Sequence, residues 1–291
     1  MIHLLLLLAA QHPDTTPPEL WAAHRVYDSR HKEYRDFETL AAAAAAADVV
    51  FLGEHHDDRA THQMELALLQ AVARRRSNVV LALEMFERDV QPILDQYLAG
   101  AIPEQAFLKA ARPWPNYVAD YRPLVEFARA HHWPVIAGNV PRKLASAVAT
   151  NGLDGVSQLV DSTRAWAAGE FRCPGNDEYF RKFTQAMGEH PMGPGGPTVE
   201  HMYQAQCVKD ETMAESIVRA RGDAGAPLVI HYNGDFHSDQ GLGTAERVRR
   251  RLPKANVVII TAIPVPKLDS VDAKAMRKQA DWLLFVLGPK Q

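Results

Sequence analysis

The sequence predicts an α/β fold: a central, mostly parallel sheet with flanking helices and an inserted helical subdomain over the C-terminal edge of the strands. Three observations carry this expectation. Short apolar runs recur at 48–53, 79–84, 134–138, 228–233 and 256–261, with a weaker one at 282–287. Segments of helical spacing separate several of them, and strands that are apolar almost throughout belong to parallel sheets covered on both faces. Two of the runs also end alike. Asp48-Val49-Val50-Phe51-Leu52 leads into Gly53-Glu54-His55-His56, and Leu228-Val229-Ile230-His231-Tyr232 leads, after Asn233, into Gly234-Asp235-Phe236-His237. A strand followed by G-x-x-H therefore occurs twice, and polar groups at such strand ends sit where open α/β sheets place their chemistry.

Taken in order, residues 1–20 read as a leader. Five leucines follow Met1-Ile2-His3, and a Pro- and Thr-rich stretch follows them. The apolar run is too short to span a bilayer. It is similar to the apolar core of an export signal, although no Lys or Arg precedes it. The expectation is an exported chain, periplasmic or membrane-associated, with no lipobox cysteine and no transmembrane segment. Residues 21–291 then form one domain. Within it, 24–38 suggests a small hairpin, and the alanine run 41–47 ends a short helix before the first core strand. From Thr61 to Arg76, Met64, Leu68, Leu69 and Val72 recur at helical spacing, with Asp57 and Asp58 placed to cap the helix. Leu242 to Leu252 is a further helix. The stretches 88–130 and 143–220 are too long for plain crossovers and hold several helical segments each. The second is broken at Asn151-Gly152 and at the Gly/Pro/Met-rich Met187 to Pro197, a surface loop or a lid.

Composition bounds the function. Of 291 residues, 47% are hydrophobic and 23% charged, enough for a large core in an ordinary globular chain. A net charge of −3 gives no basic surface for nucleic acid. Two cysteines, Cys173 and Cys207, exclude a disulfide scaffold and a cysteine-rich zinc site. A buried thiol at Cys207 is the favoured state, with a single bridge open to an exported chain. There is no H-E-x-x-H, no P-loop and no G-x-S-x-G.

The polar residues at strand ends form the candidate site. The first strand delivers Glu54 and His56, the second Glu84, the third Asn139 and Arg142, and the fourth Asp235 and His237. Four neighbouring parallel strands would aim Glu54, His56, Glu84, Arg142 and His237 into one crevice. A carboxylate buried among apolar neighbours needs a partner, and Arg142 is placed to serve Glu84. The same residues could instead be a strand cap, a helix cap and a neutralising cation. Trp114, Tyr117, Tyr121 and Trp133 read as packing of the inserted helices, though a flat apolar cofactor would want such a wall.

At these residues the chain resembles the ChaN-like haem-binding proteins of the Tiki/TraB/erythromycin-esterase-like superfamily. The resemblance runs from about residue 45 to the C-terminus. It rests on Val49 to Asp57, on Leu83-Glu84-Met85-Phe86-Glu87 and on Gly138-Asn139-Val140-Pro141-Arg142. Gln204-Ala205-Gln206-Cys207, Asp210-Glu211-Thr212-Met213-Ala214 and Gly234 to His237 add to it. It implies the fold stated above, with His56, His237, Glu84 and Arg142 as the superfamily's functional set and Glu54 beside them. It also implies haem binding in bacterial iron uptake, through dimers that sandwich haem with tyrosine ligation. Tyr117, Tyr121 and Tyr203 are the candidate ligands. The alternative is a metal-dependent hydrolase, protease-like or esterase-like. There His56, His237 and Glu84 would hold a divalent metal, Glu84 or Glu54 would act as base, and Arg142 would stabilise developing negative charge. A third possibility is a scaffold whose strand-end cluster is only a structural ion-pair network.

Overall fold

The computed structural model describes residues 21–157, 159–188, 196–223 and 225–288. The expected leader, and most of the Met187–Pro197 stretch, lie outside the described residues. The strands are β1 (His24–Asp28), β2 (Glu33–Arg35), β3 (Val49–Glu54), β4 (Val79–Glu87), β5 (Val135–Asn139), β6 (Leu228–Gly234), β7 (Val257–Val265) and β8 (Trp282–Leu287). They form one sheet in the order β2-β1-β8-β7-β3-β6-β4-β5. From β8 to β5 every pairing is parallel. The expected hairpin, β1 with β2, adds an antiparallel edge on β8.

Alternation along the strands explains the layers. Val50, Leu52, Leu81, Leu83, Ile230 and Tyr232 face one apolar cluster, while Val49, Phe51, Val80, Ala82 and Val229 face another. Side chains two apart share a face, so strands that are apolar at every position must be covered on both sides. The first face is covered by α1 (Phe37–Ala45), α2 (Arg59–Ala73), α3 (Gln91–Leu98), α4 (Glu104–Ala111), α5 (Tyr117–Asp120) and α6 (Arg122–Ala130). Asp58 caps α2, its carboxylate accepting from the Thr61 amide at 2.7 Å; Asp57 takes no part in the cap.

The two long insertions behave differently. Helices α3 to α6 share the main core. After β5 come α7 (Arg142–Asn151), α8 (Asp154–Ser157), α9 (Asp161–Arg164), α10 (Glu178–Gly188) and α11 (Val199–Asp223). Residues of α7, α8, α10 and the N-terminal half of α11 gather around two smaller apolar clusters of their own. The C-terminal half of α11, α12 (Gly243–Arg251) and α13 (Ala273–Met276) cover the second face of the sheet. Thus α11 belongs to both bodies and couples them.

Cys173 and Cys207 are bridged, tying the segment before α10 to α11. This corrects the expected buried thiol. Spacing in sequence does not show that the chain returns over α11 and brings the two Cα atoms to 5.7 Å, within bridging range.

Candidate functional site

The strands β3, β6, β4 and β5 are neighbours and parallel, so their C-terminal ends open on one side. The ladder stops there in a staggered way. β3 and β6 pair as far as Glu54 with Gly234, whereas β4 pairs with β6 and continuously with β5 only as far as Leu83. Glu84 is therefore the first β4 side chain beyond the ladder. Its Oε2 accepts from the Gly234 amide at 2.8 Å, and its Oε1 lies 3.3 Å from His237 Nε2. Burial opposes its charge, but the cation at His237, that hydrogen bond and nearby His56 bring its pKa down to about 2.

His237 follows β6 in a short turn and is held from two sides. Its Nδ1 donates to Asp210 Oδ1 at 2.7 Å, opposite Glu84. Asp210 lies in the middle of α11, fully buried, and accepts also from Thr244 Oγ1 and the Tyr179 hydroxyl, each at 2.8 Å. Burial would pull the imidazole down, yet the charges of Glu84 and Asp210 raise it to about 10. It is an imidazolium at neutral pH, clamped between two carboxylates.

The first G-x-x-H builds a second pair. His56 Nδ1 donates to Glu54 Oε1 at 2.7 Å, and the Tyr121 hydroxyl donates to the same oxygen at 2.6 Å. Burial opposes the Glu54 charge, but the hydrogen bond from His56 and the His62 ring 3.3 Å away hold the carboxyl well below the usual range. The His56 ring stands directly over Gly234: a Cβ at that position would lie 2.6 Å from His56 Nε2. Glycine there is what lets the two motifs close on each other. The His56 side chain is 41% exposed and Trp114 packs edge-on against its ring at 4.8 Å. His55 points elsewhere, pairing with Asp235 at 3.3 Å.

Behind Glu54 lie two groups that sequence reasoning missed. His62 and Glu65 on α2 are buried, with His62 Nδ1 donating to Glu65 Oε2 at 3.0 Å. The signal was present: Glu65 falls one turn before Leu68 and Leu69 on the buried stripe of α2, where a charge has no place unless it is used. Asp210 is the same case, on a stripe with buried Cys207, Ala214 and Ile217.

The structure places the other expected residues as follows. Arg142 is not the partner of Glu84. It starts α7, is exposed, and makes no ion pair among the described residues; His237 holds the carboxylate instead. Arg142 does line a cleft of about 430 Å³ together with Glu84, Trp114, Phe183, Met202 and Lys209. A second cavity, about 580 Å³, is lined by both G-x-x-H segments, including Glu54, His56 and His237. The expected metal set of His56, His237 and Glu84 is not gathered. Three donor atoms come within 4.8 Å of one another among the described residues only at Glu54, His62 and Glu65. The candidate tyrosines are all interior. Tyr117 packs on Phe86 and Phe107, Tyr121 is spent on Glu54, and Tyr203 sits behind Phe183 with its hydroxyl 3.4 Å from Asp177.

A family described as "Haem-binding uptake, Tiki superfamily, ChaN" matches residues 40–248. The chain belongs to this family. Among solved structures, that describing cofacial haem binding to ChaN of Campylobacter jejuni superposes with a TM-score of 0.66. It covers 91% of this chain and 97% of that one at 16% identity, so the likeness is of fold. Among curated proteins, "Protein RETICULATA-RELATED 5, chloroplastic" of Arabidopsis thaliana is 26% identical over 232 residues, which is 75% of this chain. This chain spans 31% of that protein's length. The ChaN-like family is thus confirmed along with the α/β fold expected from the sequence. No helix among the described residues is long and apolar enough to cross a membrane.

Proposed function

We propose that this chain binds haem in the 430 Å³ cleft between the sheet edge and the α7/α10/α11 body. The observation that carries the proposal is the make-up of that cleft, in a chain of a haem-binding family. Trp114, Val140, Phe183, Met187 and Met202 give it apolar walls, while Arg142 and Lys209 supply cations. Apolar walls with a few convergent charges suit a flat macrocycle that ends in carboxylates. The donor set fits the group: Met187 and Met202 offer thioethers to iron. Tyr117, Tyr121 and Tyr203 would first have to leave the interior. Haem, when bound, supplies a redox-active iron; the chain's own residues enclose the ring, pair with its carboxylates and exclude water. Hemin titration of the purified protein tests this. A saturable Soret shift is expected, weakened at least tenfold by Arg142→Glu with Lys209→Glu; no shift, or an unchanged one in that variant, counts against the cleft.

A role in bacterial haem uptake is part of the same proposal, as is export, which the Cys173–Cys207 bridge supports because such bridges persist in oxidising compartments. A homodimer around haem is a further element, read by light scattering before and after hemin is added.

One observation favours a second reading, hydrolysis. His56 Nδ1 is fixed by Glu54 while its Nε2 has no hydrogen-bond partner among the described residues and belongs to a ring lining the 580 Å³ cavity. That is how a general base is oriented. A hydrolase panel on the wild type and His56→Ala decides it; activity untouched by the substitution would remove this reading.

A further inference from the structure

We propose that Glu54, His62 and Glu65 form a buried site for a first-row divalent cation, beneath the strand-end cluster and separate from the cleft. The placement follows from the elements. Glu54 is the last residue of β3, and His62 and Glu65, three apart on α2, share a helix face turned toward it. One donor atom from each lies within 4.8 Å of the other two. His62 Nδ1 is 3.0 Å from Glu65 Oε2 and 3.3 Å from Glu54 Oε2. Imidazole and carboxylate donors at about 2.0–2.2 Å from a tetrahedral cation stand about 3.3 Å apart. Little movement separates the present positions from a coordination shell.

A hydrogen-bonded trio would show similar distances, so the inference rests on two further features. Both carboxylates are fully buried, and one oxygen of each, Glu54 Oε2 and Glu65 Oε1, has no hydrogen-bond partner. Native interiors seldom leave such atoms unmatched unless an ion or water belongs there. The outer contacts are also those of a ligand set. His62 Nε2 donates to the His56 carbonyl at 3.2 Å, which fixes the tautomer and leaves the Nδ1 lone pair facing the carboxylates in the neutral ring. Glu54 Oε1 is held by His56 and Tyr121, so only Oε2 is free to turn inward.

A filled site would hold two carboxylates, a neutral imidazole and a divalent cation, a net charge of zero, with any proton on His62 Nδ1 or on a carboxyl passing to solvent. No net charge enters the interior, so the usual desolvation penalty is largely avoided. One nitrogen and a few oxygens, without thiolate, suit zinc, cobalt or manganese rather than calcium, which takes six or more oxygens.

The test uses the full chain, unfolded in chelator and refolded with Zn²⁺ or Co²⁺, since a buried site loads slowly in the folded state. One ion per chain is expected by elemental analysis, with visible Co²⁺ bands. Glu65→Gln is the informative variant. It keeps the shape of the side chain but removes its anionic donor, so zinc affinity, measured against a chromophoric chelator, should fall at least tenfold in a variant that still folds without metal. Zinc is read apart from haem iron, so the outcome is independent of the cleft. Refolded wild type that retains no ion overturns the proposal, and so does zinc affinity that Glu65→Gln leaves unchanged.

Discussion

His237 Nδ1 donates to Asp210 Oδ1 across 2.7 Å, joining the turn after β6 to the middle of α11. The two residues are 27 apart in sequence and come from different elements, so the bond fixes how the helix that couples the two bodies sits on the sheet edge. Asp210→Asn keeps the shape but removes the charge, and its amide nitrogen would meet either the Tyr179 hydroxyl, at the Oδ2 position, or the Thr244 and His237 donors, at the Oδ1 position. Breaking a buried pair from one side costs about 3–5 kcal/mol. A fall of that order in unfolding free energy, measured in urea, is expected, together with a lower His237 pKa by NMR.

The same cluster sets a pH dependence. The His237 pKa rises from 6.5 in the unfolded chain to about 10 in the fold. Its contribution to stability is therefore fully present below about pH 6.5 and is lost as pH climbs through 10. Glu84 works in the opposite sense: lowered from 4.5 to about 2, it stabilises above pH 4.5 and fails as pH falls through 2. The stability gap between the wild type and His237→Gln should thus be widest between pH 4.5 and 6.5 and close toward pH 10. A gap that widens above pH 7 would contradict the assignment.

Gly234→Ala probes the contact between the two motifs. The backbone at Gly234 has φ −55°, which alanine adopts freely, so the cost comes from the 2.6 Å approach to His56 Nε2 alone. That ring is half-exposed at its outer end and can swing. Destabilisation of only about 1 kcal/mol is expected, with His56 moved away from Glu84 and its NMR titration shifted toward that of a free histidine.

Reducing the Cys173–Cys207 bridge opens a loop of 34 residues. Loop-closure entropy gives about 4 kcal/mol for that length. A Cys173→Ser, Cys207→Ser variant should melt lower than the oxidised protein, and dithiothreitol should lower the wild-type midpoint without affecting the variant.

The haem cleft makes a spectral prediction. Tyr117→Phe and Tyr203→Phe should leave the hemin difference spectrum unchanged, because neither hydroxyl reaches the cleft, whereas Met202→Ala should alter it. A tyrosinate charge-transfer band lost in either tyrosine variant would move the ligand back into the interior.

The sheet was legible because parallel strands advertise themselves as unbroken apolar runs. Val49 to Leu52 and Leu228 to Tyr232 leave no other use for so many branched side chains, and the polar groups at their ends fell together because the strands share a polarity. The partners of those groups were hidden for a physical reason. Asp210, His62 and Glu65 come from helices, where a polar residue every third or fourth position looks like solvent-facing surface until the packing is known. Arg142 failed as the Glu84 partner because α7 begins with it and carries its side chain outward, and no local pattern reports that direction. The disulfide was obscured likewise, since Cys173 and Cys207 meet only once the chain has folded back over α11.

Followed across the end of the sheet, the side chains alternate: Asp210, His237, Glu84, then His56 over Gly234, Glu54, His62 and Glu65. Acid and imidazole take turns at every step, so each histidine has a carboxylate on either side. Seven ionisable groups can then sit at one edge of a hydrophobic core with almost no net field, each cancelling its neighbours. The row starts on α11 and ends on α2, so its charges stitch together helices from opposite faces of the sheet, and a substitution at any inner member leaves two neighbours unmatched.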